Sequence, residues 1–358
     1  MRAVAAVAGV ILIALMLSEF FVTFLLPRRV RRDPRIARGF LRGLWRPWRA
    51  FARRLSPSTA DTVLGFFGPL ALLTQLLVWT IGLIIGFALL EWAAVGRGFG
   101  HGLLFSSGLF LSAEGVSGST LVHVIALVEA AIAIGVLFSV IGYLPAVYGS
   151  FSRREIAVSQ LAARAGSPPA AGVILHRVAG RERWLELERD LRDWEAWAAE
   201  LMETHLSYPI LGWYRSQHVS QNWLAALTAM VDVAAFVTAV ESDGEVEAAE
   251  LTYAIGQHAL ADLAVQYRVK PRPVDRLSDE QFEKLYGLVE SALANPVACD
   301  DAKERLRALR KAYEPKAHAL SQLLALDLPV WLPPHAEDEA LVQLPGVRVR
   351  RSSRDLVG

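Results

Sequence analysis

Residues 95–120 read VGRGFGHGLLFSSGLFLSAEGVSGST, and the reading of this stretch decides the fold. Its apolar part, Leu103 to Leu111, makes a helix of about 14 Å at 1.5 Å per residue, half of a hydrocarbon core of about 30 Å. Glycine-rich chain follows, with Gly115 and Gly118. Irregular backbone at membrane depth is tolerated only where protein buries it or where it lines a watery cavity. A half-length helix and an extended loop between two full apolar runs is the order from which identical copies build a pore. The competing reading is an external loop resting on the membrane surface.

Working outward, the run before the loop extends from Thr62 to Ala94. Gly68-Pro69 divides it, because proline forfeits a helix hydrogen bond and crowds the preceding turn. The expectation is an interfacial piece up to Phe67 and a span over 70–90, with Glu91 and Trp92 at its water-facing end. The run after the loop spans 121–148 and carries Glu129. A carboxylate at that depth needs a partner, and a serine such as Ser106 or Ser107 would supply one. Along this inner helix Ala131, Gly135 and Ser139 recur at four-residue spacing, giving a small-residue face for close packing or for a conduit. Gly135 is also a candidate bending point, and Gly142 and Pro145 loosen the last turns. A first span covers Ala3–Leu26, whose only charge is Glu19. It is long for a signal peptide and has no small-x-small cleavage site, so an uncleaved helix is expected.

Charge sets the orientation. Eleven arginines and one acid, Asp33, lie between Pro27 and Arg54. Basic segments stay on the cytosolic side. Arg28, Arg29, Arg31 and Arg32 after the first span and Arg153 and Arg154 after the third agree on one topology: N-terminus outside, C-terminal part cytosolic. These six are expected at the surface of a bacterial inner membrane, with lipids as partners. Segment 36–54 interleaves Ile36, Phe40, Leu41, Leu44, Trp45, Trp48 and Phe51 with arginines. It reads as an amphipathic helix on the inner leaflet, or else packed on the cytosolic part. The local basic run and a net charge of +1 argue against a nucleic-acid partner. The single cysteine, Cys299, excludes an intrachain disulfide.

The cytosolic part, 151–328, shows helical periodicity over 182–203, 223–241, 279–295 and 301–325, and Lys270-Pro271-Arg272-Pro273 is expected to break it in two. A tail over 329–358 reads as loosely ordered. No cofactor motif occurs. Asp243, Glu245 and Glu247 miss the calcium-loop pattern, and His205, His218 and Glu203 are weak metal candidates.

Several motifs together carry a resemblance. They are Val128-Glu129-Ala130, Ile141-Gly142-Tyr143-Leu144-Pro145, Phe151-Ser152-Arg153-Arg154-Glu155, 163–169 (ARAGSPP) and 205–227 (HLSYPILGWYRSQHVSQNWLAAL). On these the chain resembles the bacterial ion channels related to two-transmembrane potassium channels. The resemblance implies an all-α pore domain over 62–150, with pore loop 95–120 and inner helix 121–148, preceded by a first membrane helix (1–27) and a basic segment (28–61). It further implies a homotetramer that passes monovalent cations, not an enzyme.

The filter departs from that family. Aligned on Ser107-Gly108, the family's Thr-x-Gly-Phe/Tyr-Gly-Asp falls on Ala113-Glu114-Gly115-Val116-Ser117-Gly118, just after Ser112. Gly115 keeps the first filter glycine, Ser117 replaces the second, and Ala113 lacks the threonine hydroxyl. Glu114 would place four carboxylates around a fourfold axis and favour a poorly selective cation pore. Alternatively it pairs with His101 or His123 and plugs the pore, or it is a loop glutamate without a role. Two further readings stay open: a non-conducting, channel-derived scaffold or sensor, and a membrane-anchored enzyme.

Overall fold

The computed structural model describes residues 1–25, 36–112, 118–179, 181–218, 220–242 and 246–333. Arg28, Arg29, Arg31, Arg32 and Ala113, Glu114, Gly115, Val116 and Ser117 lie outside the described residues, as do Asp243, Glu245 and 334–358. The described residues are helical throughout, without a named strand. They form two units, 1–149 and 150–358. Four helices are long and apolar enough to cross a membrane.

In the first unit α1 (Arg2–Phe20, continued by a π turn to Leu25) packs antiparallel on α3 (Pro57–Val95). Small residues make the approach close. A Cβ on Gly86 would stand 2.6 Å from Ile13, and one on Gly9 2.7 Å from the Gly86 carbonyl oxygen. Further along, Met16 and Phe20 pack with Trp79 and Leu83. At the other end Arg2 caps α3, donating from Nε to the Ala93 carbonyl (3.0 Å) and from Nη2 to that of Ala94 (2.9 Å). Those carbonyls have no partner within the helix, and a cation also suits the negative end of its dipole.

Proline at position 69 does not divide α3, which is one helix of 39 residues and about 58 Å. One lost hydrogen bond is outweighed by intact turns on both sides and by packing from α2 (Ile36–Ala52). Trp45 stacks edge-on to Phe67 at 4.7 Å, and Trp48 donates its indole N–H to the Val63 carbonyl at 2.9 Å. The amphipathic basic helix thus forms as expected and packs Trp45 and Trp48 on α3.

The helix α4 (Phe99–Ser112) turns back along α3, and α5 (Thr120–Ala165) follows. Ile132 and Val136 of α5 reach the same apolar cluster as Phe110 of α4, and Tyr143 meets Phe24 at 4.0 Å between ring centroids. The helix passes unbroken through Gly142 and Pro145 and ends seventeen residues beyond 148, at Ala165.

In the second unit α6 (Ala171–Arg177), α7 (Arg181–Ser207), α9 (Glu247–Gln266), α10 (Asp279–Val289) and α11 (Cys299–Leu324) surround α8 (Trp223–Val240). α9 is a helix that apolar periodicity missed, since most of its buried face is alanine, threonine and glycine (Ala248, Ala249, Thr252, Gly256, Ala259 and Ala264), with leucine only at Leu260 and Leu263. α8 is apolar enough for a span, yet 94% of it is covered by protein, which is what a helix apolar on every side requires.

One polar network sits against α8 and overturns the expected break at 270–273. Asp232, fully buried, accepts from both terminal nitrogens of Arg276 (2.9 and 2.6 Å) and from the Tyr313 hydroxyl (2.6 Å). Arg276 also pairs with Glu314 at 2.8 Å, and Arg310 joins Glu314 (3.1 Å) to Asp275 (2.6 Å). The proline-containing connection is therefore strapped to α8 and α11, and the unit is not divided there. Burial alone would lower the pKa of Arg276, but Asp232 outweighs it and holds the guanidinium above its ordinary value. Removing one partner leaves a buried charge uncompensated, so Asp232→Ala is expected to destabilise this unit by about 3–5 kcal/mol, read by denaturant unfolding in detergent.

Arg154 and His205 are likewise buried rather than functional surface groups. The Arg154 guanidinium donates to the carbonyls of Leu211 (2.9 Å) and Tyr214 (3.0 Å) and pairs with Glu155 at 2.8 Å. It therefore does not serve lipid headgroups, whereas Arg153 is exposed and pairs with Glu200 at 2.5 Å. His205 donates from Nδ1 to Leu201 (2.8 Å), and its Nε2 faces Arg154 at 3.3 Å. Burial first, and then Arg154, push its pKa down to about 3. The unfolded chain takes up this proton near 6.5 and the folded one does not, so stability is lost as pH falls below 6.5. At pH 5 the loss from His205 is expected to be about 2 kcal/mol, and His205→Gln should flatten that part of the stability–pH curve.

Candidate functional site

The site grows out of the meeting of α3, α4 and α5. Gly102 lets α4 approach α3, since a Cβ there would stand 2.4 Å from the Ala88 carbonyl oxygen. One turn on, Ser106 is fully buried, and its hydroxyl lies 3.1 Å from the Ile84 carbonyl and in hydrogen-bond contact with the Glu129 carboxyl. One hydroxyl therefore joins three helices. It carries a single proton, so both contacts are hydrogen bonds only when the Glu129 carboxyl supplies a second. Of the two serines expected to hold Glu129, Ser106 does so, while Ser107 bonds its own helix at Leu104 (3.0 Å).

Glu91, expected in water, is instead 3% exposed, and one of its carboxyl oxygens is buried without a hydrogen-bond partner. It lies within electrostatic reach of Glu129 and of His101 and Arg97. No pattern in the sequence separates it from a helix-end glutamate, because its burial comes from three helices converging. His123, the other histidine considered for Glu114, rests its Nδ1 3.0 Å from the Ser119 carbonyl.

Of the other inner-helix candidates, Gly135 and Gly142 are exposed. Gly135 and Gly142 have no atom within 4 Å of a Cβ position. Ala131 and Gly135 are exposed, and Ser139 bonds back to the Gly135 carbonyl at 2.8 Å. Ser139 is half-buried. Of the loop positions, Ser112 closes α4, and Gly118 (φ 154°) precedes α5, where a Cβ would press on Val122 at 3.2 Å. No cluster of three metal-ligating side chains occurs among the described residues.

Searches of family models, of characterised proteins and of solved structures return no match to this chain.

The three-helix link has a direct test. Glu129→Gln keeps a donor to Ser106 and is expected to hold thermal stability within about 1 kcal/mol of native. Glu129→Leu and Ser106→Ala should each cost about 1–3 kcal/mol, with strong non-additivity in the double variant, because each leaves the other group buried and unpaired.

Proposed function

We propose that this chain is one subunit of a homotetrameric cation channel. α3 is its outer helix, α4 a re-entrant half-helix, residues 121–148 of α5 its inner helix, and residues 112–118 its constriction. The observation that carries this reading is direction. α4 and α5 are consecutive in the chain, yet both run antiparallel to α3, with Ser106 level with Glu129, and Phe110, Ile132 and Val136 all packed on the cluster of Met16, Phe20, Trp79 and Leu83. Two full spans joined by a surface loop give α4 no reason to descend along α3. A half-helix that delivers the following residues to a shared axis does.

Coverage supports assembly. Only 11% of the apolar window of α5 is covered within the chain, against 33% for α1 and 39% for α3. Leu127, Leu137 and Phe138 are exposed beside the small-residue stripe at Ala131, Gly135 and Ser139. Copies of the same helix, or a conduit between them, would occupy such a face.

α1, α3 and α5 are the three spans in this reading, with α8 left to the cytosolic core. The arginines of 27–54 put the N-terminus outside and the second unit in the cytosol of a bacterial inner membrane. Four copies of Glu114 would draw monovalent cations without strict potassium selectivity. Ser117 and Ala113, in place of a filter glycine and threonine, favour a second reading, a channel-derived scaffold that does not conduct.

Recording from purified protein in planar bilayers separates the two. Unitary cation currents are expected, and Glu114→Gln should reduce them by roughly half or more. Silence under all conditions selects the scaffold, and a monomer in detergent by mass measurement removes the pore altogether.

A further inference from the structure

The outer side of α9 carries a pattern that the core of the second unit does not use. α7, α8 and α11 pack on α9, and its side chains at Thr252, Gly256, Ala259 and Leu263 are buried. On the opposite side Glu247, Leu251, Ala254, His258, Ala261 and Val265 follow one another at spacings of 4, 3, 4, 3 and 4 residues. That is the heptad spacing of a seam between two helices. Leu251 is 47% exposed and Val265 68%. Glu247, Ala254 and His258 are exposed as well, and Ala261 is half-buried.

This face is complementary to itself when turned end for end. With His258 on a two-fold axis, Leu251 of one copy meets Val265 of the second, and Ala254 meets Ala261. Large side chains thus face each other at the ends and small ones beside the axis, where helix backbones approach most closely. The charges agree with the same direction. Glu247 and Glu250 stand exposed at the start of α9, and Arg268 and Lys270 stand exposed just past its end. Antiparallel pairing sets acid near base at both ends and opposes the two helix dipoles. Parallel pairing would instead bring Glu247 to Glu247 and Arg268 to Arg268, and like charges so placed repel.

We infer that α9 pairs antiparallel with α9 of a second copy of this chain, about a two-fold axis through His258. The two imidazoles then face each other, each with its own Asp262 at 3.5 Å. One helix pair covers less than the roughly 800 Å² per partner of a standard interface. It therefore acts on copies already gathered in one membrane, where effective concentration is high. A fourfold assembly would hold its second units as two such pairs, a consequence that rests on the channel reading while the pairing does not.

Oxidative cross-linking of the full chain in isolated membranes tests the pairing, with cysteines introduced in a Cys299→Ser background. His258→Cys is expected to give a disulfide-linked dimer, about fivefold or more above the yield of Glu304→Cys, an exposed position on α11 that reports random collision. Leu251→Cys alone should stay at the collision level. Leu251→Cys combined with Val265→Cys should cross-link as His258→Cys does, because only antiparallel helices bring these two positions together. Ala254→Arg, at an exposed position that leaves the fold unchanged, should lower the His258→Cys product about tenfold. The inference is overturned if His258→Cys links no better than Glu304→Cys, the result expected of a face covered by a different protein. It is also overturned if Leu251→Cys alone matches the double variant, which would mean parallel contact, or if Ala254→Arg changes nothing.

Discussion

A carboxyl group enclosed by apolar helices must find its hydrogen bond within the protein, and Glu129 finds it on Ser106. That requirement fixes the depth of α4. The short helix has few side chains with which to hold its place, and its apolar residues would be equally content one turn higher or lower among apolar neighbours. A hydroxyl shared between Glu129 and the Ile84 carbonyl removes this freedom, because any slip leaves a polar group unpaired. Gly102 adds a steric limit, admitting α4 only where no side chain meets the Ala88 carbonyl. Whatever the following loop does, it starts from a helix end set by these two constraints.

The second unit uses the same physics for another purpose. Its central helix is nearly all apolar and would slide as readily as α4. Asp232, its one charged residue, gives it a polar register mark; Arg276 and Tyr313 reach that mark from two places in the sequence, and Glu314 braces Arg276. A connection that contains prolines is thereby made part of the core. Arg154 does comparable work on α5, satisfying the carbonyls of Leu211 and Tyr214 and adding to the burial that keeps His205 neutral.

Much of this was legible residue by residue. Glu129 announced a partner because an ionisable group deep in an apolar run has few alternatives, and the serine on the preceding helix was among those expected. The amphipathic helix over 36–52 followed from its alternation of tryptophan and arginine. What misled was local chemistry read without neighbours. Pro69 reads as a break, but the lost hydrogen bond is small beside the packing of α2. Arg154 reads as a headgroup-facing cation beside Arg153, and only the fold supplies the carbonyls that bury it. Glu91 reads as a helix end in water. α9 left only a weak apolar stripe to find, since its packed face is mostly alanine, threonine and glycine, with leucine only at Leu260 and Leu263.

The sequence by itself determined which segments are apolar enough to leave water, where positive charge is concentrated, and that a half-length helix lies between two long runs, because composition and periodicity act locally. Tertiary structure alone decided that α4 runs back along α3, that α8 is a core rather than a span, and that Arg276 of the proline-containing connection meets Asp232 on α8. Each of these depends on which groups distant in sequence come within a few ångströms of each other, and burial, pairing and direction are properties of that neighbourhood.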